Sequence, residues 1–93
     1  MARALASPSH TVLRRLLVEA RKDAQLTQQQ VAAKLGLPQS YVSKYENGER
    51  KLDVIEFLAV CDVLGASTAD IIENIRRSAS SSTSGLWTLE PSR

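Results

Sequence analysis

The stretch LTQQQVAAKLGLPQSYVSKYENG, Leu26 to Gly48, leaves this chain little choice of fold. Thr27 can accept a free amide hydrogen of a following helix while Gln30 reaches back to the Thr27 backbone, with Leu26 placed as a hydrophobic staple. That predicts a short helix over residues 28–35. Gly36 falls just past its last apolar position, where a left-handed backbone ends a helix without a side-chain clash. Leu37 and Pro38 follow at once, so the next helix must begin within about three residues and leave at a steep angle. Val42 and Tyr45 supply its inward face, and Asn47 with Gly48 its stop.

The pattern is a helix-turn-helix, and the rest of the chain reads as helices packed around it. Leu13, Leu16, Leu17 and Ala20 recur at three- and four-residue spacing and predict a first helix over residues 10–23, capped by Ser9 or Ser7 with Pro8 tolerated beside the start. Asp53 with Glu56, and Ser67 with Asp70, are capping signatures for helices over 54–64 and 68–77. No stretch alternates polar and apolar residues long enough to suggest a strand. The expected fold is all-α, a compact five-helix bundle containing the helix-turn-helix. Residues 10–77 form the domain and residues 1–9 a flexible N-terminal arm. After Arg77 the run SASSSTSG has no hydrophobic period, so residues 78–93 are expected to be a disordered, flexible C-terminal tail.

A chain of 93 residues with 43% hydrophobic content fits one small domain. It has no apolar run near the roughly 18 residues that cross a membrane. The opening MARALASPS is too poor in apolar length for a secretory signal. A single cysteine, Cys61, makes no internal disulfide and points to a reducing, cytoplasmic setting.

Net charge is only +2, yet it is unevenly spread. Residues 1–51 carry nine Lys/Arg against four acids, a balance of +5, whereas residues 52–93 carry three against six, a balance of −3. A one-sided encounter with a polyanion requires such asymmetry, because phosphate neutralisation supplies most sequence-independent affinity for nucleic acid. With Val42 and Tyr45 inward, Gln39, Ser40, Ser43 and Lys44 share the opposite surface. Those residue types suit base edges in the major groove: Gln bridges adenine, Lys reaches guanine acceptors, Ser bonds to either. An ordinary solvated face is the bland alternative for any isolated helix. Gln28 opens the preceding helix, where a side chain and a free backbone amide can meet a phosphate. Asn47, Arg50 and Lys51 stand just beyond the third helix, placed to hold the same strand from the far side.

From about Leu13 to Ile72 the chain resembles the lambda repressor and Cro type of helix-turn-helix, also called the XRE family. The residues that carry the resemblance are LTQQQVAAKLGLPQSYVSKYENGER followed by LDVIEFLAVCDVLG. Thr27-Gln28, Ala32, Leu35-Gly36, Gln39-Ser40, Val42-Ser43, Glu46 and Gly48 match the family's spacings. The resemblance implies double-stranded DNA as the partner. It places Gln39, Ser40, Ser43 and Lys44 at bases, and Gln28, Asn47, Arg50 and Lys51 along the backbone. It also implies a buried or half-buried ion pair between Arg21 and Glu46, tying the first helix to the end of the third. Two opposite charges among apolar neighbours are indeed best satisfied by each other. Pro38 departs from the family, which often has Ser or Thr there, so the third helix lacks a side-chain cap and its start, at Gln39 or later, is left open.

The expected function is a sequence-specific transcriptional regulator, a repressor, that reads the major groove with residues 39–47. A module this small reads few base pairs, so a homodimer on two half-sites is expected. Ile71, Ile72 and Ile75, helped by Ile55, fit either a dimer contact or closure of the monomer core. The competing reading is an antitoxin-like or adaptor module that holds another protein through the helical body or the tail, with Trp87 and Leu89 as an anchor. Catalysis is not expected: there is no nucleophile and base pairing, no Gly-rich phosphate loop and no metal cluster, and His10 is the sole histidine. No cofactor is implied. Cys61 reads as a small buried thiol.

Overall fold

The computed structural model describes residues 8–80. Five helices follow one another: α1 (Pro8–Asp23), α2 (Gln28–Leu35), α3 (Gln39–Asn47), α4 (Val54–Leu64) and α5 (Thr68–Ser80), with no strand among the described residues. The proposed arm before Pro8 and the tail beyond Ser80 lie outside the described residues.

Local chemistry accounts for the boundaries. Thr27 Oγ1 accepts from the Gln30 amide at 3.1 Å while Gln30 Oε1 accepts from the Thr27 amide at 2.9 Å, so two of the donors that a helix start leaves unpaired are satisfied. Asp53 and Glu56 repeat the device at α4, at 2.7 and 2.9 Å. Ser67 Oγ accepts from the Asp70 amide at the start of α5. Gly36 ends α2 at φ 73°, a region that costs a side chain but not glycine. The Leu37 amide then donates back to the Ala32 carbonyl at 2.9 Å, closing the turn.

Two boundaries differ from the sequence expectation. Helix α1 begins at Pro8 rather than His10, because proline's fixed φ suits a first helical position. Ser9 therefore lies inside the helix and is buried, so it is not the cap. Helix α5 runs to Ser80, three residues past Arg77, since no glycine or proline interrupts Ser78, Ala79 and Ser80.

Helix α1 ends without glycine. Gln25 takes φ 61°, a left-handed conformation that disfavours a residue with a Cβ, while the Leu26 amide bonds the Arg21 carbonyl across it. Gln25 is exposed. Gln25→Gly is expected to raise the unfolding free energy by about 0.5–1 kcal/mol, the left-handed penalty less the extra chain entropy of glycine. A chemical-denaturation midpoint that falls instead would show that Gln25 holds this turn by its side chain.

The core is contributed by every helix: Leu17 from α1, Val31 and Ala32 from α2, Val42 and Tyr45 from α3, Val60, Cys61 and Leu64 from α4, and Ile71 from α5. Helix α1 packs chiefly on α5, and α2 on α3. Tyr41 and Tyr45 meet edge to face, ring centres 5.9 Å apart. Burial pushes the Cys61 thiol up to about 11, so at neutral pH it is an inert core group.

The isoleucines of α5 separate. Ile71 is buried and Ile75 half-buried against the core, so both close the monomer, and Ile72 alone faces outward. Helix α4 is apolar nearly all the way round. One side fills the core, and the other leaves Val54, Ile55 and Leu58 exposed beside Ile72.

Candidate nucleic-acid interface

The start of α3 follows from Pro38. Its backbone is extended (φ −66°, ψ 153°), it offers no side-chain cap, and its carbonyl accepts from the Tyr41 amide at 3.0 Å. The helix therefore begins at Gln39. Burying Val42 and Tyr45 leaves Gln39, Ser40 and Lys44 exposed and Ser43 half-buried. None of the four packs inside the molecule. Asn47 is exposed one turn after Ser43 and donates from Nδ2 to the Ser43 hydroxyl at 3.4 Å.

Beneath this face lies a chain of hydrogen bonds that begins in the core. Arg21, in the last turn of α1, donates from Nε to Glu46 Oε2 at 2.7 Å and from Nη2 to Glu46 Oε1 at 3.2 Å, a two-pronged ion pair. Its third nitrogen, Nη1, donates to the Leu26 carbonyl at 3.0 Å. The side chains are only 13% and 6% exposed, so the pair is nearly sealed from water. One guanidinium thereby ties together the end of α1, the entry to α2 and the last turn of α3.

The chain continues outward. Glu46 Oε1 also accepts from Gln28 Nε2 at 2.8 Å, and Gln28 Oε1 accepts from Gln39 Nε2 at 3.4 Å. The order is dictated by chemistry: an ionised carboxylate only accepts, so the Gln28 amide turns its nitrogen inward and its oxygen outward. Gln39 must then offer a nitrogen to that oxygen. Gln39 retains one N–H and its own carbonyl oxygen, an adjacent donor and acceptor at the exposed tip.

The segment after α3 is held from two sides. Gly48 ends the helix at φ 82°, and the Arg14 guanidinium lies against it, so closely that a Cβ there would meet Arg14 Cζ at 3.0 Å. Arg50 pairs with Glu56 through a short contact and stacks over the Tyr41 ring, 4.7 Å from its centre. The backbone amide of Asp53, followed by Arg50, holds the Glu56 carboxyl below its ordinary range. Arg50 remains partly exposed, and Lys51 beside it is exposed.

The structure thus brings Gln28, Gln39, Ser40, Ser43, Lys44 and Asn47 to one continuous surface, with Arg50 and Lys51 in the segment beyond it. Sequence reasoning missed Arg14, Tyr41 and Glu56. Tyr41 carries no signal in the sequence and Glu56 only that of its cap with Asp53, because their pairing with Arg50 joins residues of separate helices through the intervening loop. Arg14 had one: it stands a single turn before Leu17 on the inward side of α1. Among the described residues no group of His, Cys, Asp and Glu is arranged to hold a metal ion, and no described helix is long and apolar enough to cross a membrane.

Comparison with known proteins fits this geometry. The family described as Helix-turn-helix matches residues 17–71. Among solved structures, an XRE-family like protein from Pseudomonas syringae pv. tomato str. DC3000 is 45% identical, with a TM-score of 0.71 over 74% of this chain and 84% of that one. The clp gene regulator ClgR from C. glutamicum is 28% identical, with a TM-score of 0.64 over 72% of this chain and 86% of that one. A variant of the restriction-modification controller protein C.Esp1396I, 20% identical with a TM-score of 0.65 over 73% of this chain and 91% of that one, shares the fold. No curated protein matches. The matched motif spans the whole of α2, α3 and α4, and on these grounds the chain belongs to the XRE-type helix-turn-helix family.

Proposed function

We propose that the protein is a sequence-specific regulator of transcription that inserts α3 into the major groove of double-stranded DNA. One observation carries the reading: the exposed tip of Gln39 is aligned through Gln28 by a buried ion pair, so a base-reading amide is ordered before any ligand arrives. Its remaining donor and acceptor match N7 and N6–H of adenine. Ser40, Ser43 and Lys44 occupy the neighbouring reading positions. Gln28, at the amino end of α2, and Asn47, Arg50 and Lys51 at the other edge reach the phosphates on either side. The likeness to the clp gene regulator supports a regulatory role. Repression needs no more than occupancy of the site, and it is the sense assigned here.

A single α3 covers few base pairs, so the regulator works as a homodimer on half-sites one helical turn, about 34–36 Å, apart. The contact face is the exposed apolar set Val54, Ile55, Leu58 and Ile72. Sedimentation of the chain at micromolar concentration, with and without operator, should show the dimer on a duplex that carries two half-sites. A strict monomer in both states rejects it.

Selection from random duplexes, read out by sequencing, tests the reading as a whole, and mutants test the roles. Lys44→Ala is expected to relax preference at one base position by about 1–3 kcal/mol. Lys51→Ala is expected to weaken every sequence alike and to lower the slope of log affinity against log salt by about 1. Identical behaviour of the two variants would overturn the assignment of base and phosphate contacts.

A further inference from the structure

The apolar side of α4 forms one wall of a groove whose other wall is α5. Leu52, Val54, Phe57, Leu58, Ile72 and Ile75 line it, and it encloses a volume of about 300 Å³. Three of these, Val54, Leu58 and Ile72, belong with Ile55 to the exposed apolar face assigned above to the dimer. A concave apolar surface pressed against its own copy leaves a hollow unless a side chain enters it, and an unfilled hollow forfeits dispersion contacts. The sequence supplies such a side chain close by. Trp87, the sole tryptophan, stands between Leu86 and Leu89 in the segment that follows α5.

We propose that Trp87, with Leu86 and Leu89, docks into the α4–α5 groove of its own chain and competes there with dimerisation. Reach permits it. Ile72 lies eight residues before Ser80, about 12 Å along the helix, whereas the seven residues from Ser80 to Trp87 span up to about 23 Å. Mass action favours it over a second copy. A short tether holds the segment at an effective concentration near the millimolar range, so a partner molecule at micromolar concentration must bind roughly a thousandfold better to displace it. A large, nearly rigid aromatic ring gains the most area for the least lost freedom, which suits it to a groove of this kind. The consequence is regulatory: the docked segment keeps the chain monomeric and weakens operator binding, and DNA presenting two half-sites draws the groove open for the partner.

The competition rests on the dimer proposed above, and the docking does not, so the two are measured separately. Because Trp87 is the only tryptophan, its fluorescence reports the docking directly in the full chain. Emission at shorter wavelength than in guanidinium, weaker quenching by acrylamide, and no change on dilution through the micromolar range are expected. Leu58→Ser and Ile72→Ser, at exposed positions that leave the core intact, should each restore solvent-like emission and quenching. Solvent-like emission in the unaltered chain, or a blue shift that disappears on dilution, overturns docking in cis. Trp87→Ser should then shift sedimentation towards dimer and tighten binding to a two-half-site duplex severalfold. Blue-shifted emission with unchanged sedimentation in Trp87→Ser rejects the competition while leaving the docking in place.

Discussion

Replacing Glu46 with alanine is expected to lower the unfolding free energy by about 3 kcal/mol, because it leaves a nearly buried guanidinium without its carboxylate. Folded domains of this size have only about 5 kcal/mol in hand, so the variant should unfold at much lower denaturant and approach the limit of folding at physiological temperature. The loss has two parts. Arg21 keeps a single acceptor, the Leu26 carbonyl, for its remaining donors, and Gln28 loses the acceptor that fixed its amide. Glu46→Gln separates them, since it retains an oxygen for Gln28 while removing the charge. The double variant Arg21→Met with Glu46→Leu should recover much of the stability, as apolar pairs of similar volume often replace buried ion pairs without net cost. A loss under 1 kcal/mol in Glu46→Ala would mean that water reaches Arg21, and that the pair is a surface contact of little energetic weight.

The second large effect is expected on recognition. Gln39→Ala should cost about 1–3 kcal/mol against the preferred operator, on the order of 5- to 150-fold in affinity, and little against random duplex. The adenine expected at one position of each half-site should lose its preference. Gln28→Ala removes the proposed phosphate contact and the carbonyl that aligns Gln39, so it should weaken operator binding and relax the same base position. The two losses should not add. A double-mutant cycle is expected to return a coupling of at least about 0.5 kcal/mol, since the residues share one hydrogen-bonded chain. Strict additivity, or a Gln39→Ala variant that weakens all sequences equally, would reduce Gln39 to a backbone contact.

How much of this was legible beforehand depended on the range of each interaction. The capping boxes at Thr27 and Asp53 and the left-handed stops at Gly36 and Gly48 act within four residues, so the chain order alone revealed them, and with them the boundaries of α2 and α4 and the end of α3, whereas the uncapped start of α3 at Gln39 came from the structure. The ends of α1 and α5 were less legible. Proline at a helix start and serine near a helix end are permissive rather than decisive, so Pro8 and Ser78 to Ser80 joined their helices beyond the expected limits. Ile71, Ile72 and Ile75 looked alike in the sequence. Their periodicity showed that a helix had an apolar face, and only the packing of α1 against that face decided that Ile71 and Ile75 lie against the core while Ile72 is exposed.

The site divides in the same way. Alternation of inward and outward positions on α3 was enough to select Gln39, Ser40, Ser43 and Lys44 as an outward set, since helical geometry places side chains once the core positions are known. It said nothing of what aligns them. The bonds from Glu46 to Gln28 and from Gln28 to Gln39 span 18 and 11 residues, and the stacking of Arg50 on Tyr41 depends on where the loop after Gly48 returns. Local propensity, caps and periodicity are properties of neighbours along the chain, and they sufficed for five helices and the outward face of α3. Which polar groups meet across helices is settled by the close packing of the core, which brings distant donors and acceptors within hydrogen-bonding distance, and that the tertiary structure alone decided.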